Sequence, residues 1–149
     1  MSPYLTFAFS LIGAVTAFAI WRGGAPERRG GVIMAIYAVS DPIYHRLFSA
    51  PQFRFVDPGH VVMDSLQFIA LTALALRANR MWPLWAASSA LIAISGHLAL
   101  LIGPRGLQRA YWAMTQLPLY PELLAVLLGT IAHRLRYRRI GPYRDWRAA

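Results

Sequence analysis

Residues 81–102 read MWPLWAASSALIAISGHLALLI, a run of 22 positions without an aspartate, glutamate, lysine or arginine. As a helix rising 1.5 Å per residue it extends about 33 Å, enough to cross the roughly 30 Å hydrocarbon core of a bilayer. Its single ionisable residue is His97. A stretch this long and this apolar reads as a membrane span, and the rest of the chain repeats the pattern.

Residues 4–21 are uncharged and also long enough to cross with little tilt. Ala17-Phe18-Ala19 imitates a signal-peptidase site, but no positive side chain precedes Arg22, so this segment is expected to be retained as a helix. Ser10, Gly13, Ala14 and Ala17 form a small-residue stripe along it, of the kind that lets helices approach closely. Residues 60–76 and 110–132 make two more spans, the latter interrupted by Gln116, Pro118, Pro121 and Glu122. Pro118 and Pro121 each remove a helix donor, freeing the carbonyls of Met114 and Leu117, and a kink is expected there. Residues 31–48 are the weakest span, because Ser40, Asp41, Pro42, His45 and Arg46 follow its apolar stretch. Trp82, Trp85, Tyr111 and Trp112 stand where interfacial aromatic belts are expected, and Gly103-Pro104-Arg105-Gly106 reads as a turn.

The chain has 149 residues, 57% hydrophobic and only 14% charged, against about a quarter charged in a typical soluble domain. Its mean hydropathy is +0.42. It contains no cysteine, which excludes disulfides, thiolate metal sites and cysteine nucleophiles. All fifteen positive residues are arginine, against six acids. Six of them (Arg134, Arg136, Arg138, Arg139, Arg144 and Arg147) crowd the last sixteen residues, interleaved with Tyr137, Tyr143 and Trp146. A basic, aromatic cluster directly after an apolar run is expected to contact anionic lipid headgroups rather than nucleic acid.

The arginines also orient the chain. With five spans, eleven lie on one side and four on the other; if residues 31–48 fail to cross, the division becomes eight against seven. The positive-inside rule therefore favours an all-α bundle of five transmembrane helices, amino terminus out and carboxyl terminus in, over four spans with the second segment re-entrant. Residues 1–133 would form the bundle and 134–149 a basic cytoplasmic tail. The loop 49–59, with Phe53 and Phe55, would lie on the outer face.

Ionisable residues within a span are costly and are functional candidates by default. Counting depth along each helix places Asp41 about 13 Å and His45 about 20 Å from the inner boundary, Asp64 about 6 Å below the outer one, and His97 about 22 Å across. Asp41, His45, Asp64, Gln67 and His97 thus form a candidate polar cluster in the outer half. His97 shares a helix face with Ala86, Ser89, Ala90 and Ala93, and Asp64 shares one with Gln67, Leu71 and Ala75. Asp64 and His97 are expected to meet across the third and fourth spans. His45, His60, Asp64 and His97 offer imidazole and carboxylate ligands suited to zinc or iron. The same groups suit a proton path, or a structural network that fixes helix register.

From Arg80 onward the chain resembles a group of short, uncharacterised bacterial inner-membrane proteins. The resemblance is carried by Arg80-Met81-Trp82-Pro83-Leu84-Trp85-Ala86-Ala87, His97, Tyr111, Tyr120-Pro121, Gly129-Thr130 and His133 with the arginines after it. Asp64 matches as well, while the first two segments match in hydropathy alone. The resemblance implies a fold-level relationship only; it brings no catalytic role. It marks Asp64, Trp85 and His97 for attention.

No catalytic or nucleotide-binding motif is recognisable, so enzymatic activity and cofactor stay open. Three functions remain in view: a non-catalytic accessory or structural subunit with other membrane subunits as partners; a proton- or ion-coupled transport component; and a metal-dependent membrane enzyme acting on a lipid-like substrate.

Overall fold

The computed structural model describes residues 3–48, 56–102 and 108–147. Six helices account for nearly all of them: α1 (Pro3–Arg22), α2 (Ala25–Phe48), α3 (Pro58–Arg77), α4 (Trp82–Ile102), α5 (Gln108–Gln116) and α6 (Leu119–Ile140). Three stretches are long and apolar enough to cross a membrane: Pro58–Arg77, Trp82–Ile102 and Gln108–Ile140, in which α5 and α6 are two halves of one broken helix. From Thr6 to Arg22, α1 is apolar but shorter. The weakness foreseen in the second segment has a visible cause: α2 carries Glu27, Arg28, Arg29, Asp41 and Arg46. The expected turn 103–106 and the loop tip with Phe53, Arg54 and Phe55 lie outside the described residues.

The α2 and α3 helices run antiparallel. The register of α2 on α3 is read from four facing pairs: Tyr44 with Asp57, Asp41 with His60, Tyr37 with Asp64 and Met34 with Gln67. Each step along this seam is three or four residues, so the pairs stack at about 5 Å intervals. The α3 helix begins at Asp57-Pro58, where the aspartate side chain accepts from the Gly59 N–H and proline fills the first helical position. The break between α5 and α6 falls at Leu117 and Pro118, and the Leu117 carbonyl that Pro121 frees accepts instead from the Tyr120 N–H at 3.1 Å.

The faces read from the sequence are those buried in the bundle. Ala86, Ser89, Ala90, Ala93 and His97 all point inward from α4, as do Asp64, Gln67, Leu71 and Ala75 from α3. Large apolar side chains instead cover the outside, among them Trp21, Ile36, Leu66, Trp85 and Leu101. An apolar exterior around a polar seam is the arrangement hydrocarbon solvent demands.

Two readings are corrected. The small-residue stripe of α1 faces away from the bundle: Ser10, Gly13, Ala14 and Ala17 are exposed. Ala8, Ile12, Val15, Thr16 and Ala19 pack inward, where Gly31 of α2 lies against Thr16 and Ala19. The close approach is made instead by Gly31 of α2, so the α1 face opposite it turns inward. Trp82 and Tyr111 are not interfacial belt residues, being 7% and 4% exposed. The Trp82 ring is wedged between Gly30 of α2 and Gly129 of α6, both of which must be glycine for the ring to fit.

Candidate functional site

Ionisable groups gather in three places along the bundle. In the middle, His97 Nε2 stands 2.8 Å from Asp64 Oδ2, the pairing expected from their depth and faces. Tyr37 donates to Asp64 Oδ1 at 2.8 Å, and the Tyr111 hydroxyl lies 3.0 Å from His97 Nδ1. The ring of His97 is thus held on one side by the Asp64 carboxylate and on the other by the Tyr111 hydroxyl. Both carboxylate oxygens and both ring nitrogens are therefore engaged. One turn inward, Gln67 donates from Nε2 to Glu122, with Met34 Sδ 3.5 Å from the same nitrogen. Glu122, read from the sequence chiefly as part of a kink, is 3% exposed and belongs to this core.

At the α2–α3 connection, Asp41, His45 and His60 converge. Asp41 Oδ1 is 3.0 Å from His60 Nε2 and 3.6 Å from His45 Nε2. Asp57 stands behind them, its Oδ2 3.2 Å from His60 Nδ1 and its Oδ1 held by the Tyr44 hydroxyl and the Gly59 N–H. Burial works to raise the Asp57 carboxyl, but the hydrogen bonds from Tyr44 and Gly59, with His60 beside it, outweigh burial and hold it below the ordinary carboxylate range. The metal set foreseen as His45, His60, Asp64 and His97 is thus divided. His45 and His60 group with Asp41, while Asp64 and His97 pair with each other deeper in the bundle. The physical reason is register: the four-residue spacing makes His60 and Asp64 neighbours on α3, yet the seam turns His60 to Asp41 and Asp57.

The opposite end is organised by Glu27, which is fully buried. Its Oε1 accepts from Arg80 Nε at 3.2 Å and from Trp82 Nε1 at 3.0 Å. Arg80 reaches on to Asp145 Oδ1 at 2.6 Å and to His133 Nδ1 at 3.4 Å. The Tyr143 hydroxyl is 2.9 Å from the same His133 nitrogen. Burial raises the Tyr143 phenol above its ordinary value despite the nearby guanidiniums. An arginine only donates, so His133 Nδ1 is the accepting nitrogen and the ring proton sits on Nε2. Gly24 closes the cluster: a side chain there would meet His133, Asp145 and Glu27.

Residues 134–140 extend α6, and 141–147 fold back over this end. Asp145 accepts from the Ala25 N–H at 3.2 Å, Trp146 pairs with Ala78, and the Arg147 N–H donates to the Arg77 carbonyl at 2.9 Å. The Arg80 and Arg136 guanidiniums each lie 4.4 Å from the Tyr143 ring. Two clefts flank the last turns of α6. One, of about 690 Å³, has an apolar wall from Trp82, Trp85, Leu124 and Leu128 and a basic mouth from Arg136 and Arg147. The other, of about 550 Å³, is lined by Arg22, Arg28, Arg134 and Arg138 with His133 and Asp145. Four of the six arginines expected at lipid headgroups line these clefts, while the Arg144 carbonyl accepts from Arg80 at 3.2 Å.

Several of these residues gave little sequence signal. Glu27 sits in a run, Pro26-Glu27-Arg28-Arg29, that reads only as a charged loop; Tyr37 and Tyr44 look like span aromatics. Asp57-Pro58 does carry a helix-start signature that marks Asp57 as a cap. No protein-family model, curated protein or solved structure matches the chain.

Proposed function

We propose that the chain is a multi-pass protein of the bacterial inner membrane, with five spans, its amino terminus outside and its carboxyl terminus inside. In this reading it is a non-catalytic accessory subunit that associates with other membrane helices. The observation that supports it most is the exposed α1 stripe of Ser10, Gly13, Ala14 and Ala17. Small residues on an outward helix face let a second backbone approach closely, which is the main source of helix association in hydrocarbon. The core is consistent with a structural task, since the groups of Asp64 and His97 are spent on each other and on two tyrosines. The arginines at the α6 end would hold this face against anionic headgroups.

Gly13 supplies the test, because nothing lies within 4 Å of where its side chain would stand. Gly13→Leu should leave the thermal stability of the purified bundle unchanged. It should abolish recovery, in mild detergent, of the stoichiometric membrane subunits that accompany the wild-type chain. A wild-type chain that purifies alone, or a Gly13→Leu chain that keeps its partners, contradicts the reading.

A second reading is favoured by the seam itself, which carries ionisable and hydroxyl groups from Asp57 through His60, Asp41, Tyr37 and Asp64 toward Glu122. These suit proton uptake from the outer face. Proton flux into liposomes under an imposed gradient, lost in Glu122→Gln while the protein still inserts, would establish transport in place of the accessory role.

A further inference from the structure

Among the described residues, two clusters bring histidine and carboxylate ligand atoms within 4.8 Å of one another: Asp41, His45 and His60, and Glu27, His133 and Asp145. The second already holds a cation: Arg80 engages Glu27, Asp145 and His133 with its own nitrogens and so occupies the centre of the cluster. The first differs. The ion-pair partners of Asp41 among the described residues are His45 and His60, whose charge depends on protonation.

We infer that Asp41, His45 and His60 form a binding site for a divalent late first-row metal ion of the zinc class, at the end of the bundle where α2 gives way to α3. Three features carry it. The first is spacing. Ligands about 2.1 Å from a tetrahedral zinc stand roughly 3.4 Å apart, and Asp41 Oδ1 lies 3.0 Å from His60 Nε2 and 3.6 Å from His45 Nε2. Both nitrogens are Nε2, and the three ligand atoms lie within 4.8 Å of one another. The second is the support behind the ligands. His60 Nε2 now bonds to Asp41, and Asp57 Oδ2 lies 3.2 Å from Nδ1, near enough to accept the ring proton once a metal takes its place on Nε2. Asp57 is itself fixed by Tyr44 and the Gly59 N–H, so the carboxylate–histidine–metal relay is anchored to the start of α3. The third is access. The side chains of Asp41, His45 and His60 are 34%, 21% and 17% exposed, open at the surface of the bundle, whereas Asp64 and His97 are buried.

Two histidines and one carboxylate leave at least one position for water, and the nitrogen-rich set selects zinc-like ions over calcium or magnesium. The site is independent of the accessory-subunit reading, since α1 contributes no ligand.

The test uses the full chain, purified in detergent, stripped with a chelator and titrated with zinc alone in competition with a chromophoric chelator. The expected result is one equivalent of zinc per chain. His45→Ala and His60→Ala should each abolish binding, and Asp57→Asn should weaken it about 10- to 100-fold without changing stoichiometry. His133→Ala, in the arginine-filled cluster, should leave it unchanged. Cobalt substitution gives a second readout, with visible bands of a low-coordinate nitrogen–oxygen site that vanish in His60→Ala while helical circular dichroism stays wild-type. No equivalent bound by the wild-type chain, binding that survives His60→Ala, or binding lost in His133→Ala would overturn the inference.

Discussion

Asp64 and His97 illustrate what one polar pair does inside an apolar helix bundle. Each alone would be an expensive buried group, and the pair becomes tolerable because Tyr37 and Tyr111 take up the remaining lone pair and ring nitrogen. Hydrogen bonds across membrane helices nevertheless contribute modestly, because the unassembled helices find other partners. A double-mutant cycle with Asp64→Asn and His97→Gln, followed by reversible unfolding in bicelles, should therefore give a coupling of roughly 0.6 kcal/mol and below about 1.7. A coupling of several kcal/mol would mean that the pair does more than fix register. This contact was legible in the sequence because depth and helix face are both set by counting along a regular helix. The tyrosines that complete it were not, since a tyrosine in a span looks the same whether it faces lipid or a carboxylate. Glu27 was hidden more deeply: its value lies in Arg80 and Trp82, more than fifty residues away in the chain.

Among the elements, α2 and the segment after α6 decide how the bundle closes. Hydropathy rates α2 poorly because its polar residues are counted as if they met lipid, yet Glu27, Asp41 and Tyr37 all face neighbouring helices. The last residues likewise read as a solvated basic tail, but 141–147 dock through one acid, Asp145. Asp145→Asn keeps the shape while weakening the charged contacts to Arg80 and Ala25. It should lower stability by about 1 kcal/mol, discounted for the partial exposure of the pair, and expose the 141–147 backbone to hydrogen exchange. Unchanged protection in that segment would contradict the docking account. In the proposed reading the arginines around it meet anionic headgroups. Replacing Arg136, Arg138, Arg139 and Arg144 with glutamine should weaken binding to anionic vesicles and flatten its salt dependence, with the helices intact. Binding that ignores both the substitutions and salt would rule out the electrostatic contribution. The reversed α1 stripe shows where pattern reading stops: periodicity finds the two faces of a helix, but which one turns inward depends on neighbours that the helix's own sequence does not contain.

At the scale of the whole molecule, most of the arginines lie at one end of the bundle and the histidine–aspartate cluster at the other. The arginine-rich end is visible in the contacts: Arg80 meets Glu27 and Asp145, Arg147 meets Arg77 and Ala78, and Arg22, Arg28, Arg134 and Arg138 line one cleft. Helix content and the core faces of α3 and α4 were legible because they rest on composition and period alone. Sidedness rests on charge, which acts during insertion, and so it calls for a measurement in the cell. The most direct one places paired periplasmic and cytoplasmic reporters after Ala149 and, separately, next to Phe53. The account predicts opposite signals, cytoplasmic at Ala149 and periplasmic near Phe53, whereas the same signal from both positions would contradict the five-span bundle.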